Sequence, residues 1–230
     1  MSVFEISNIK KSYGKRVILD DVTFSAEQGD CIGIVGANGC GKSTLLGIIS
    51  GCNKADSGKV VGYGNDLTAN RSLFSKFVGF VPQENPLMDK LSVLDNLKFW
   101  YCDSKRSLDE DLKTGVPAIF GLSSYLNYSV DKLSGGMRKR LSIACSLAKD
   151  PPILILDEPG ASLDLICKDD IKRYLTSYMA NGGTVIITSH EDSELALCTK
   201  MFLLQDSKLT ELKDLPTGSS LRERMRASNG

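Results

Sequence analysis

The sequence predicts an α/β fold with a mixed, largely parallel sheet, an antiparallel β-rich segment at the start and a helical insert in the middle. Short apolar runs at Cys31–Val35, 153–156 and Thr184–Thr188 alternate with stretches of helical spacing. This alternation is typical of strands that are covered on both faces in a parallel sheet. A glycine-rich turn follows the first run, and apolar residues at helical spacing occupy residues 91–126.

Composition limits the class of protein. The chain has 230 residues, of which 42% are hydrophobic and 24% charged, so it can form one large core. Its 28 lysines and arginines balance 28 aspartates and glutamates, and no whole-chain charge attracts nucleic acid or an acidic membrane surface. The longest aliphatic runs are far shorter than the roughly 20 residues that cross a bilayer as a helix. The N-terminus lacks a secretory pattern. We therefore expect a cytosolic protein that does not bind nucleic acid.

The seven cysteines include no C-x-x-C pair, and the chain has a single histidine. An odd number of unpaired cysteines indicates reduced thiols in a cytosolic protein. With so few ligands of the usual type, a structural zinc site is not expected.

The elements are predicted in order along the chain. Short β segments at 3–9, 16–19, 22–26 and Cys31–Val35 come first, and a helix follows at 45–50. In the insert, one helical face carries Leu94, Leu97, Trp100 and Tyr101. A helix at 137–149, a strand at 153–156, a helix at 167–179 and a strand at Thr184–Thr188 complete the pattern.

These elements predict one domain at 1–215, followed by a polar tail at 216–230. Within the domain, residues 1–83 and 150–215 are expected to form the core with its N-terminal β segment. Residues 84–149 are expected to form the helical part.

The first motif that carries chemistry runs from Gly36 to Thr44 and has the form G-x-x-x-x-G-K-[ST] between a strand and a helix. Its glycines let backbone N–H groups turn toward phosphate oxygens, and the helix N-terminus adds positive partial charge. Lys42 is expected to reach the β- and γ-phosphates, and Ser43 to hold Mg²⁺. Alone, the loop indicates only a nucleoside triphosphatase or a kinase.

The second motif is an acidic pair at the end of the apolar run 153–156. Asp157 follows this run directly, at the sheet edge where open α/β sheets bind ligands. It is expected to contact Mg²⁺, normally through water. Glu158 comes next and is expected to accept a proton from the attacking water.

The third motif opens a helix at Ser134-Gly135-Gly136. Ser134 is a natural N-cap, and the two glycines expose unpaired N–H groups that offer a second anion site. Because one subunit has no evident need of two γ-phosphate sites, two subunits placed head to tail would each supply this segment to the other's nucleotide. On this helix, Met137, Leu141, Ala144 and Ala148 are predicted to form an apolar stripe. Arg138, Lys139 and Arg140 are predicted to lie on the outer side.

From about residue 3 to residue 212, the sequence resembles the ATP-binding subunit of the ATP-binding-cassette (ABC) transporter family. The resemblance implies that Tyr13 stacks on adenine and that Gln83 links Mg²⁺ to the membrane partner. It matches the signature loop to 133–137 and the loop that reaches across the dimer to 160–164. His190, directly after the strand Thr184–Thr188, corresponds to the switch histidine.

The resulting site prediction has three parts. The catalytic residues are Glu158, His190, Lys42 and Gln83. The Mg²⁺ ligands are Ser43, Gln83 and Asp157. The ATP-binding residues are Tyr13, Gly36, Asn38, Gly39, Cys40, Gly41, Lys42, Ser43, Thr44, Gln83, Ser134, Gly135, Gly136 and His190.

The sequence departs from the family pattern at two places. Met137 stands where glutamine is common, and Gly160-Ala161-Ser162 replaces the more usual Thr-Ser-Ala. Neither change removes an atom that is assigned to chemistry, but both are expected to alter contacts across the dimer.

The expected function is therefore ATP hydrolysis that drives transport, with export favoured. The implied partners are an integral membrane subunit and a second ATP-binding subunit, identical or related, and the expected location is the inner face of the membrane. Three alternatives remain at this point. They are a soluble ABC ATPase acting on nucleic acid, ribosomes or cofactor assembly, a kinase or GTPase with the same phosphate loop, and a scaffold that binds nucleotide without hydrolysis.

Overall fold

The computed structural model describes residues 2–161 and 163–212. The predicted tail, residues 213–215 of the predicted domain and Ser162 lie outside the described residues. In the part that is described, no helix is both long and apolar enough to cross a membrane.

An antiparallel sheet of four strands forms the N-terminal part. The first strand, β1, pairs on one side with β2 and on the other with β4, and β5 lies beyond β4. The four strands are β1 (Ser2–Tyr13), β2 (Arg16–Glu27), β4 (Ser57–Gly62) and β5 (Asn65–Asp66). The expected antiparallel segment is thus confirmed.

The two strands predicted at 16–19 and 22–26 form one continuous strand, β2, so the predicted break between them is wrong. Asp21 has φ 62°, and the pairing register of β1 with β2 shifts nearby, between Ile9 and Lys11 of β1. The acidic pair Asp20-Asp21 therefore marks an irregularity within a strand and not a turn between two strands.

The second sheet has six strands, and its parallel part contains the predicted apolar runs. Strands β9, β3, β8, β7 and β6 pair in parallel in that order, while β10 pairs antiparallel with β9 at one edge. Every residue of β3, β7 and β8 is buried, as expected for strands covered on both faces. The strands are β3 (Cys31–Val35), β6 (Val78–Val81), β7 (Ile153–Asp157), β8 (Thr184–Thr188), β9 (Lys200–Gln205) and β10 (Lys208–Glu211).

Eight α-helices connect and cover these strands in the described residues. The predicted helices at 45–50, 137–149 and 167–179 are present with shifted ends, and the first begins at Lys42, inside the glycine-rich loop. They are α1 (Lys42–Ile49), α2 (Phe74–Phe77), α3 (Val93–Tyr101), α4 (Leu108–Thr114), α5 (Val116–Ile119), α6 (Gly135–Ser146), α7 (Leu165–Ala180) and α8 (Asp192–Leu195).

The six-stranded sheet separates two hydrophobic cores. Along β7, Ile153 and Ile155 face the core that contains α1, while Leu154 and Leu156 face the core that contains α6. This alternation follows from the period of two along a strand. Leu97 of α3 belongs to the same core as Leu154, so the helical insert packs on the sheet. The division of the domain at 84 and 149 remains a prediction.

One predicted helix face is wrong in a specific way. Leu141, Ala144 and Ala148 of the stripe are buried, but the outer-side placement fails for Lys139, which is only 4% exposed. Its neighbours Arg138 and Arg140 are half-buried. Successive helical residues are about 100° apart, so three consecutive cations cannot all share the exposed face.

Candidate functional site

The glycine-rich loop connects the end of β3 to the start of α1. Gly41 is the N-cap of α1 and has φ 114°, a conformation that a side chain would strain. A Cβ atom on Gly36 would lie 2.4 Å from the carbonyl oxygen of Leu204. Lys42 is 6% exposed, and its Nζ donates hydrogen bonds to the carbonyl oxygens of Gly36 (2.9 Å) and Ala37 (3.2 Å). The ammonium group is therefore held within the loop.

The loop opens into a cavity of about 400 Å³. Nine predicted site residues line it, from the β1 end, the loop, the segment after β6 and the end of β7. Gly36 and Cys40 are absent from this lining, and Cys40 faces a neighbouring cavity of about 380 Å³. The lining residues are Tyr13, Arg16, Ile18, Asn38, Gly39, Gly41, Lys42, Ser43, Thr44, Gln83 and Glu158.

Two lining residues, Arg16 and Ile18, were missed by the sequence analysis. Arg16 pairs with Tyr13 across the β1–β2 turn, and its Nη2 donates a 3.5 Å hydrogen bond to the carbonyl oxygen of Gly39. It adds a positive charge beside the loop. The signal that could have revealed it is the hairpin, because a tight turn at Gly14 places the residues on either side of it together. Tyr13 itself is 54% exposed, and its predicted role of stacking on adenine stays a prediction.

The acidic pair lies where predicted, at the carboxyl end of β7. Asp157 is 3% exposed, and its Oδ1 accepts a 2.6 Å hydrogen bond from the Thr188 hydroxyl. The Glu158 N–H donates to the Thr188 carbonyl oxygen at 3.0 Å. Glu158 has φ 46°, so the chain turns sharply there. Thr188 thus fixes both acids from the adjacent strand, a role that the sequence analysis did not assign.

Three predicted catalytic side chains meet at Glu158. Gln83 donates from Nε2 to Glu158 Oε2 at 3.3 Å, and His190 Nε2 lies 3.5 Å from Glu158 Oε1. The side chains of Glu158 and His190 are 20% and 40% exposed. This arrangement brings a carboxylate, an amide and an imidazole together beside the cavity.

A buried carboxyl supports the His190 segment from behind. The Ser189 hydroxyl donates a hydrogen bond to Glu194, which is 6% exposed. Burial raises the pKa of the Glu194 carboxyl, and hydrogen bonds from Ser189 and from the Gly160 backbone act in the opposite direction. Glu194 therefore joins His190's strand end to the loop that begins at Gly160.

The serine and glycines at the start of α6 occupy a separate place. Ser134 Oγ accepts a 3.2 Å hydrogen bond from the Met137 N–H, which caps the helix as predicted. Ser134 and Gly135 are exposed, and a Cβ on Gly135 would meet no atom within 4 Å. A Cβ on Gly136 would lie 3.1 Å from Cys167 Sγ, so this glycine packs on α7. Ser134, Gly135 and Gly136 are absent from the lining of the 400 Å³ cavity.

The donor set at the cavity suits a hard cation. Ser43 and Gln83 line the cavity, and Asp157 lies one residue before the lining residue Glu158. Hydroxyl, amide and carboxylate oxygens are the ligands that Mg²⁺ prefers. No group of three or more His, Cys, Asp and Glu side chains able to hold a metal exists in 2–161 and 163–212. Ser43, Gln83 and Asp157 therefore suit an Mg²⁺ ion that takes its remaining ligands from water and phosphate oxygens.

Comparison with known proteins adds a family to this geometry. A family model described as "ABC transporter" matches residues 19–161. The Nod factor export ATP-binding protein I of Rhizobium etli is 32% identical over 212 residues, which are 90% of this chain and 67% of the relative. The linearmycin resistance ATP-binding protein LnrL of Bacillus subtilis is 31% identical over 215 residues, 90% of this chain and 68% of the relative.

The fold is also shared with a solved structure. An ATP-binding cassette determined as a dimer in a post-hydrolysis state, bound to ADP and Pi, superimposes with a TM-score of 0.81 at 25% identity. The match covers 92% of this chain and 99% of the other. The chain spans 60% to 68% of the lengths of the first three curated relatives.

Proposed function

Because this chain belongs to the ABC transporter family, we propose that it is the ATP-binding and ATP-hydrolysing subunit of a membrane exporter. The observation that carries this proposal is one cavity that joins the glycine-rich loop of Lys42 to Glu158, with the α6 N-terminus absent from its lining. Export is the direction of transport in the name of the Rhizobium relative.

The cavity residues divide the chemistry among themselves. Lys42 and the loop N–H groups bind the phosphates of ATP, and Tyr13 offers its exposed ring to the adenine. Glu158 polarises the attacking water. Gln83 and His190 contact the two oxygens of the Glu158 carboxylate and hold it in position. Phosphoryl transfer depends mainly on such positioning and charge stabilisation.

Mg²⁺ belongs to this proposal as a cofactor, held by Ser43, Gln83 and Asp157. Bound there, it would neutralise negative charge on the phosphate oxygens. The hydrogen bond from Thr188 to Asp157 keeps that carboxylate oriented before any ligand binds.

A second ATP-binding subunit completes each site. The exposed Ser134 and Gly135 form a helix N-terminus, an arrangement that favours anions. In a head-to-tail pair, this end of one subunit would face the γ-phosphate of the nucleotide held by the other. The pair could be two identical chains or two related ones.

An apolar groove is the proposed contact with the membrane subunit. It has a volume of about 580 Å³, lies beside the segment that carries Gln83, and is lined by Phe74, Phe80, Pro86, Phe99 and Trp100 among others. Phe99 is 60% exposed. Phe99 and Trp100 of α3 line the groove, whereas Leu97 and Tyr101 of the same helix are buried in the core. A short helix of an integral membrane subunit would fill it and hold the protein at the inner face of the membrane.

The test is a pull-down of tagged Glu158→Gln protein from detergent-solubilised membranes with Mg-ATP, followed by mass spectrometry. We expect a polytopic membrane protein to co-purify. The groove variant Phe99→Asp should lose it, while Ile119→Asp, at another residue that is 61% exposed, should keep it. Recovery of ribosomal, DNA-bound or scaffold proteins without a membrane protein would contradict the transporter proposal and support a soluble ABC ATPase.

A further inference from the structure

Lys139 is a buried lysine near the start of α6. It lies five residues after the N-cap Ser134 and is 4% exposed. Its Nζ donates hydrogen bonds to the carbonyl oxygens of Pro82 (3.2 Å) and Gln83 (3.3 Å). Lys139 makes no ion pair with any carboxylate in the described part of the chain. The cation is therefore balanced by two backbone dipoles.

This position is unfavourable for a lysine unless its contacts serve a purpose. Removing a charged group from water costs free energy that hydrogen bonds to neutral carbonyls only partly return. Burial lowers the pKa of the Lys139 ammonium, and the negative charges of Asp157 and Glu194 offset part of this effect. Methionine or leucine would fill the same space without that cost.

The two accepting carbonyls belong to the segment that follows β6. Gln83 is exposed, so packing does little to fix its backbone. Its side chain nevertheless reaches Glu158, with Nε2 3.3 Å from Oε2. A continuous set of contacts thus runs from α6 through Lys139 to the Gln83 backbone, and from the Gln83 side chain to Glu158.

We propose that Lys139 is a positioning residue that ties the Gln83 segment to the helix opened by Ser134, so that Gln83 is held in reach of Glu158. The proposal rests on the proposed function, because it concerns the same ATP site. It also gives α6 a second role, since the helix that offers its N-terminus to the partner also holds Gln83 of its own subunit.

The first test does not depend on catalysis. Backbone ¹⁵N order parameters of residues 83–85, from NMR relaxation, are measured without nucleotide in wild type, Lys139→Met, Lys139→Gln and the control Lys90→Met, whose side chain is 88% exposed. We expect these order parameters to fall below about 0.6 in Lys139→Met. Lys139→Gln keeps N–H donors and should restore most of the order, and Lys90→Met should match wild type.

The second test follows ATP hydrolysis in the same four proteins. Lys139→Met should lower kcat by about tenfold and raise the Mg²⁺ concentration for half-maximal rate, while KM for ATP changes by less than about twofold. The phosphate loop and Tyr13 are untouched, which is why KM should stay. Lys139→Gln should recover most of kcat. A merely structural lysine would change the thermal midpoint without changing the Mg²⁺ dependence.

The outcomes separate the two proposals. Unchanged order parameters in Lys139→Met would overturn the positioning role, whatever the hydrolysis rates. Lower order parameters with unchanged kcat and Mg²⁺ dependence would also overturn it. Absence of ATP hydrolysis in wild type itself, with lower order parameters in Lys139→Met, would contradict the proposed function and leave the positioning role supported. If Lys139→Met does not fold, as judged by circular dichroism, Lys139→Ala serves in its place.

Discussion

Helices α1 and α6 both have glycines at their N-termini, and the two N-termini differ in what surrounds them. Helix α1 has Gly41 as its N-cap without any side-chain cap, and its first residues line a cavity that Tyr13 and Glu158 also enclose. Helix α6 is capped by the Ser134 hydroxyl, and the space around Gly135 is open. The same physical device, free N–H groups at a helix start, is enclosed in one case and exposed in the other.

The difference indicates which part of the chemistry one chain can complete. At α1, the chain supplies a cation, an acid and an aromatic ring around the helix start. At α6, the helix start is capped by its own serine and does not line that cavity. Under the proposed function, a nucleotide that contacts both helix starts would lie between the cavity of one subunit and the α6 of a second.

The largest expected effect comes from a substitution at the N-terminus of α1, which lines the cavity. Lys42→Met removes the ammonium that lies within the phosphate loop, and with it charge-assisted hydrogen bonds to phosphate. We expect ATP affinity to fall by about tenfold to a hundredfold and ATP hydrolysis by at least about a hundredfold. Isothermal titration calorimetry and phosphate release measure these two effects.

The control for this variant is Lys54→Met, which removes an exposed lysine from the segment after α1. It should bind and hydrolyse ATP as wild type does. If Lys42→Met also kept its ATP affinity and turnover, the enclosed helix start would not be the phosphate site.

A substitution at the exposed N-terminus of α6 should lower ATP hydrolysis without changing ATP binding. Ser134→Arg places a long side chain where the partner's nucleotide would approach, but leaves the cavity unchanged. We expect the Kd for ATP to stay within about twofold and hydrolysis to fall at least about tenfold. Ser124→Arg, at an exposed serine of the same helical insert, should have no effect on hydrolysis. Loss of ATP binding in Ser134→Arg would show that one chain forms the whole site.

A mixture of the Ser134→Arg and Lys42→Met proteins tests whether the N-termini of α1 and α6 act together across two subunits. In a mixed pair, the intact cavity of Ser134→Arg would face the intact α6 start of Lys42→Met, so one complete site would re-form. We therefore expect the mixture to recover a measurable part of the wild-type hydrolysis rate, while each variant alone stays inactive. A mixture no more active than its components would argue against a site shared between two copies.

Most residues around the N-terminus of α1 were placed correctly from the sequence. Strand ends, glycines and acids are local signals, and Gly36–Thr44, Asp157, Glu158 and His190 are found at the predicted ends of β3, β7 and β8. Family membership and the fold are confirmed by comparison. The catalytic and binding roles of these residues stay predictions.

What the sequence did not reveal depends on contacts between distant segments. Thr188 holds Asp157 from the adjacent strand, and Arg16, at the start of β2, reaches Gly39 of the glycine-rich loop. Lys139 was predicted to lie outside because it stands in a run of cations, but its carbonyl partners are more than 50 residues earlier in the chain. Periodicity cannot show such a partner, since it describes only the helix that carries the side chain.

The smallest expected effect concerns Glu194, a buried carboxyl that accepts a hydrogen bond from Ser189, the residue before His190. Because its folded-state pKa is raised, its contribution to stability is present at low pH and is lost as the pH rises above the ordinary value of 4.5. In Glu194→Gln, the amide oxygen can still accept hydrogen bonds from Ser189 and Gly160 without a charge. The variant should therefore gain stability relative to wild type as the pH rises, because only the wild-type carboxyl must ionise in a buried site. Urea unfolding from pH 4 to pH 8 measures this difference, with Glu110→Gln, at an exposed glutamate of α4, as the matched control. A stability difference that does not change with pH would mean that Glu194 ionises in the folded protein as it does in the unfolded chain, so that its burial carries no free-energy cost.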